Sequence, residues 1–101
     1  MSGRYCLRER AESDLEDIWL YTFEQWGHEQ ADSYTTTIIH RFGWLANNPL
    51  AGKSRADIKS GYYCFPEGRH LIFYTIQSAC IEIIGVLHQS MDYVENFPPD
   101  G

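Results

Sequence analysis

The stretch from residue 62 to residue 92 constrains the fold of this chain more than any other. It holds three short runs rich in Ile, Phe, Tyr, Val and Leu, from Tyr62 to Phe65, Arg69 to Ile76 and Ala79 to Leu87. Pro66-Glu67-Gly68 and Gln77-Ser78 separate them, so turn residues punctuate β-prone segments at hairpin spacing. The pattern predicts a three-stranded antiparallel meander. In the last two runs Leu71, Phe73, Ile84 and Val86 alternate with Ile72, Ile76, Ile81 and Ile83. Both faces are apolar, which places these strands at the centre of a covered sheet. The stretch closes on His88-Gln89-Ser90-Met91-Asp92, the polar edge where function is expected.

The first half must supply the cover. Arg4 to Arg8 alternates Tyr5 and Leu7 with polar neighbours and predicts a short strand. From Glu9 the period changes, and Ala11, Leu15, Ile18, Trp19, Thr22 and Trp26 form one stripe of an amphipathic helix that Gly27 ends. A second stripe runs through Ala31, Tyr34, Ile38, Phe42 and Leu45 to the stop at Asn47-Asn48-Pro49, because proline cannot donate the next backbone bond. With only Gly27 between them, the helices form an antiparallel hairpin. The polar stretch from Leu50 to Ser60 reads as a loop. Its Gly52-Lys53-Ser54 is not a phosphate loop, since Asn47 stands where the upstream glycine belongs and no strand leads in. The expected fold is α+β in the order β-α-α-β-β-β: an N-terminal strand, then an antiparallel helical hairpin packed on one face of a mainly antiparallel sheet. The other face and the C-terminal segment are expected to be exposed, in a single domain over residues 1–101 with a short tail from about residue 93.

Fourteen acidic residues against eight basic ones give a net charge of −6, which disfavours direct nucleic-acid binding through phosphates. No apolar run approaches the ~20 residues of a membrane helix and residues 1–10 do not resemble a leader, so the cytoplasm is the expected compartment. Cys6, Cys64 and Cys80 form no C-x-x-C pair, so they read as reduced thiols. A metal site of Cys64, Cys80, His70 and His88 matches no known spacing, and neither a metal nor a cofactor is expected. Leu20 and Trp44 lie off the two helical stripes; each is either a singly exposed apolar residue or part of a groove for a partner's helix or strand. His88 beside Asp92 is either a group titrating near neutrality or a ring that bonds the adjoining turn. With no second cation nearby in sequence, the turn-bonding reading is preferred.

Asp14-Leu15-x-x-Ile18-Trp19-x-Tyr21, Trp26-Gly27, Ala31 and Tyr34 lie in the helices, and Asn48-Pro49 and Gly52-Lys53 in the loop. Ile58-x-x-Gly61-Tyr62, Gly68-x-His70-x-Ile72-Phe73-Tyr74 and Val86-Leu87-His88-Gln89-x-Met91-Asp92 follow. In this order the chain, from about Arg4 to Asp92, resembles the ParE branch of the RelE/ParE toxin superfamily. The resemblance implies a bacterial type II toxin held in a hetero-oligomer by a ParD-like antitoxin. Toxins of the ParE branch are associated with poisoning DNA gyrase, whereas the RelE branch cleaves messenger RNA on the ribosome. In the ribonuclease branch a Lys-Arg pair follows the last strand, with an aromatic hydroxyl or His near the C-terminus. This chain aligns Ser90 and Met91 with the pair and Phe97 near the terminal position; the first two supply no cation, and phenylalanine has no proton to give. The chain also departs from its own branch: it has Gly61-Tyr62-Tyr63-Cys64 where Gly-Tyr-Arg-Lys is common, and Thr75 and Gly85 where arginines are common.

The expectation is therefore a gyrase-directed protein toxin without catalytic residues. A ribosome-dependent endoribonuclease and a non-toxic antitoxin-binding domain are the alternatives. Arg69, His70, Tyr74, His88, Gln89 and Asp92 are the expected target contacts, and Leu20 and Trp44 the expected antitoxin contacts.

Overall fold

The computed structural model describes residues 3–97. A strand, β1 (Tyr5–Leu7), leads into two helices, α1 (Glu9–Trp26) and α2 (His28–Asn47). Gly27 alone joins them, at φ 92°, a backbone angle that side chains with a Cβ resist. Its N–H donates to the Phe23 carbonyl, and its own carbonyl accepts from Ala31 N–H, so one residue closes one helix and opens the next. At the far end of α2 the Asn47 and Asn48 side chains donate to the carbonyls of Gly43 and Trp44, the latter having lost its helical donor because Asn48 N–H turns to Leu45.

Four strands and a helical turn follow: β2 (Lys53–Ser54), β3 (Tyr63–Glu67), β4 (His70–Ile76), β5 (Ile81–His88) and α3 (Tyr93–Asn96). The sheet order is β1-β5-β4-β3-β2, antiparallel throughout except that β1 runs parallel to β5. The expected order and packing of elements are present, with differences of detail. The segment read as a loop contributes β2, a two-residue edge strand. Pro66, read as a turn residue, lies inside β3 opposite Leu71. It is tolerated because β2 pairs only with Tyr63 and Cys64, so β3 is already a sheet edge at Pro66. Trp26, placed in the core stripe, is 74% exposed, and the buried stripe of α1 is the narrower Ala11, Leu15, Ile18 and Thr22.

The two faces of the sheet carry separate cores. On the helical face Ala11, Leu15, Ile18, Ile38, Phe42 and Leu45 meet Ile72, Tyr74, Ile81, Ile83 and Val86. Full burial of each large side chain is worth roughly 1.5–3 kcal/mol. On the opposite face Tyr62, Cys64, Phe73, Ile84, Leu87 and Phe97 pack together, flanked by Ile58, Leu71 and Tyr93. This corrects the expectation of an open second face and an exposed C-terminal segment: α3 and Phe97 fold back and close that face. The rest of the expected tail lies outside the described residues. A register shift between Phe73 and Tyr74 pairs them with Gly85 and Ile83, leaving Ile84 as an extra residue of β5. The bulge inverts the alternation, so Val86 joins Ile81 and Ile83 against the helices rather than sharing a face with Ile84.

Candidate functional site

Facing this bulge, the otherwise apolar stripe of α1 carries a carboxylate. Asp14 follows Ala11 by three residues and precedes Ile18 by four, so it points at the sheet. There its Oδ2 accepts the Val86 N–H at 2.9 Å. Gly85 permits this approach, since a Cβ at that position would lie 3.0 Å from the same oxygen and 3.4 Å from Phe97. Arg10 Nε donates to both Asp14 oxygens at 3.1 Å, and its other nitrogens donate to the carbonyl and side-chain oxygens of Asn96. Burial pushes the Asp14 carboxyl above its ordinary pKa, against the pull of the Val86 N–H and of Arg10. One ion pair thereby ties α1 to the bulge of β5 and to the C-terminal turn.

Beside this network a cleft of about 410 Å³ opens between α1 and the end of the β4–β5 hairpin. Asp14, Asp17, Ile18 and Tyr21 line it from α1; His70, Val86, His88, Ser90 and Met91 line it from the sheet side. His70 and His88 are cross-strand partners, their rings edge to face at 5.3 Å. Tyr34 OH lies 2.6 Å from His70 Nδ1 while accepting the Arg69 N–H at 3.1 Å. The same hydroxyl lies 3.4 Å from the Glu67 carbonyl, so Tyr34 joins the His70 ring to the β3–β4 turn. Burial, reinforced by His88, lowers the His70 pKa to about 4. Burial also raises the Tyr34 hydroxyl above its usual range. His88 Nδ1 faces Ser90 Oγ at 2.7 Å and accepts the Ser90 N–H at 3.2 Å. It is thus the turn-fixing histidine of the plainer reading.

The structure brings only some of the expected target contacts together. His70 and His88 share the cleft. Arg69 and Gln89 are exposed beside it and joined through Gln89 N–H donating to the Arg69 carbonyl. Asp92 is exposed but caps α3, its Oδ1 accepting the Glu95 N–H. Tyr74 must be withdrawn as a contact. It is fully buried, its hydroxyl donates to the Pro49 carbonyl and accepts the Gly52 N–H, and it holds the loop before β2.

The two expected antitoxin residues are exposed, Leu20 at 54% and Trp44 at 41%, but they do not form one groove. Leu20 lies seven residues before Gly27 and Trp44 seventeen after it, which separates them by about 15 Å along antiparallel helices. The Trp44 ring packs instead on Phe65 and under Arg41. Nor do Cys64, Cys80, His70 and His88 converge, since Cys80 and His88 stand at opposite ends of β5, about 25 Å apart. Asp14, Asp17, Tyr21 and Tyr34 were not anticipated as site residues. Asp14 at least carried a signal: a carboxylate inside the three-and-four spacing of an apolar stripe.

A family model described as the ParE toxin of the type II toxin-antitoxin system parDE matches residues 5–93. The chain is 37% identical over 97 residues to Toxin ParE1 of Mycobacterium tuberculosis, covering 95% of this chain and 99% of that protein. It is 39% identical over 88 residues to Toxin ParE1 of Caulobacter vibrioides, covering 87% and 91%. Among solved structures, the chromosomal ParDE system of P. aeruginosa superposes with a TM-score of 0.74 at 16% identity, covering 86% of this chain and 96% of that one. The toxin-antitoxin complex RelBE2 of Mycobacterium tuberculosis gives 0.61 at 17% identity, covering 87% and 99%.

Proposed function

Because the chain belongs to the ParE toxin family of type II toxin-antitoxin systems, we propose that it inhibits DNA gyrase by direct contact in the cytoplasm, without catalysis, until a ParD-like antitoxin neutralises it. The lining of the cleft carries this reading. It holds Asp14 and Asp17 and neither lysine nor arginine. Cleavage of a phosphodiester gathers negative charge that such a site repels rather than stabilises. Phe97, aligned with the terminal acid of the ribonuclease branch, is buried in the second core at 7% exposure and offers no proton. A protein surface is the better partner for carboxylates, histidines and a methionine around an apolar floor.

The antitoxin segment is proposed to lie along the outer face of α1, where Leu20, Phe23 and Trp26 are exposed. Trp44 lies apart from this face, packed on Phe65. Inducible expression tests the reading in cells. The expected result is growth arrest with relaxed or cleaved plasmid DNA, relieved when the antitoxin is co-expressed. Arrest with plasmid supercoiling intact and messenger RNA cut would overturn it.

A further inference from the structure

Two cysteines that the proposed function leaves unused meet at the edge of the sheet. Cys6, in the middle of β1, and Cys80, in the turn before β5, hold their sulfurs 3.7 Å apart, in van der Waals contact. Cys6 is exposed and Cys80 half-buried, so a small reagent reaches the pair, whereas Cys64 is buried in the second core. We propose that Cys6 and Cys80 form a redox modification site, a dithiol that a low-molecular-weight disulfide of the glutathione class converts to an internal disulfide tying β1 to the β4–β5 turn.

The exchange balances without any further reagent. The thiolate of one cysteine attacks a sulfur of the small disulfide, expels the first small thiolate and leaves a mixed disulfide on the protein. The second cysteine's thiolate then attacks the protein sulfur of that mixed disulfide and expels the second small thiolate. Two electrons pass from the protein to the small disulfide, and the two thiol protons end on the released small thiols. The sulfurs need only close to about 2.05 Å. Cys80 lies outside the strand ladder, in a turn closed by Gln77 N–H donating to its carbonyl, so its side chain can swing without breaking β5. The hydrogen bond with Cys80, burial, and the neighbouring Cys80 and Glu82 all raise the Cys6 thiol above its ordinary pKa. Exchange is therefore slow at neutral pH and quickens as pH rises.

The bond would span 74 residues of sequence and pin a strand of three residues that is paired along one edge only. Cross-links over long loops constrain the unfolded chain most, so the oxidised protein should melt roughly 5–20 °C higher.

The test incubates the purified full chain with an excess of glutathione disulfide at pH 8, followed by intact mass, thiol counting after denaturation, and peptide mapping. The expected product has lost the mass of two hydrogens, retains one thiol, and yields a peptide linking Cys6 to Cys80. Cys64→Ser should behave alike, with no thiol left. Cys6→Ser and Cys80→Ser should each stop at a single glutathione adduct on the remaining partner. The raised melting temperature should vanish on reduction with dithiothreitol. Stable glutathione adducts on both Cys6 and Cys80 of the unmutated chain, bonds between chains only, or no change in thiol count would overturn the proposal.

Discussion

His70 is a half-buried base held neutral at pH 7. Its pKa falls from 6.5 to about 4, so the folded state binds fewer protons than the unfolded chain between those values. The stability it confers is fully present above about pH 6.5 and is lost as pH falls through 4. The shift corresponds to at most ~3 kcal/mol, and to about half that once screening of a half-exposed ring is allowed for. Asp14, with a raised pKa, acts in the opposite sense: its contribution is present below 3.8 and lost as pH rises through its folded value. The difference between the protein and His70→Gln isolates the histidine. Denaturant unfolding at pH 7 and pH 4 should show a smaller loss of stability for the variant; equal losses would contradict the buried-base account. Tyr74 gives a second test. Tyr74→Phe keeps the ring but strands the Gly52 N–H and the Pro49 carbonyl, at a cost of about 1–3 kcal/mol. If inhibition per folded molecule drops while stability is unchanged, Tyr74 is a contact after all.

Among the elements, the C-terminal turn has the clearest role. Phe97 packs on Phe73 at 5.0 Å and on Tyr62 at 5.5 Å, with Arg10 over its other side, so α3 is the lid of the second core. Phe97→Ala should cost about 3–5 kcal/mol. Truncation after Met91 should lower the melting temperature by more than ~10 °C, so any loss of toxicity would follow from loss of fold. A truncated chain that melts unchanged would mean that the turn is dispensable. The two long helices, β1 and the three meander strands were legible in the sequence, because helical periods, Gly27, Asn47-Asn48-Pro49 and β-branched runs are local signals, whereas β2 and α3 are too short to carry one. The second core was not, because Tyr93 and Phe97 show no period in so short a segment and look like a tail. The bulge was hidden for a related reason: Ile83-Ile84-Gly85-Val86 is apolar on both faces, so nothing in the alternation marks the residue at which it inverts. The cleft was half legible. Its histidines end strands and its Asp14 interrupts a stripe, but Tyr34 reads as core until the fold brings it to His70.

At the scale of the molecule, the net charge of −6 and the acid-lined cleft both disfavour phosphate binding. The antitoxin is proposed to use α1, away from the lid. Leu20→Ala should therefore weaken antitoxin binding about tenfold, near 1.4 kcal/mol, with little change in melting temperature. Calorimetric titration with unchanged affinity would move the antitoxin off this face. Contact inhibition of gyrase, rather than cutting of RNA, is the activity proposed for this toxin. It is tested most directly by dividing one preparation between two purified reactions: gyrase with DNA and ATP, and ribosomes programmed with a defined message. The expected result is lost supercoiling with trapped cleaved DNA in the first and an intact message in the second, whereas codon-positioned cleavage of the message beside unhindered supercoiling would overturn contact inhibition.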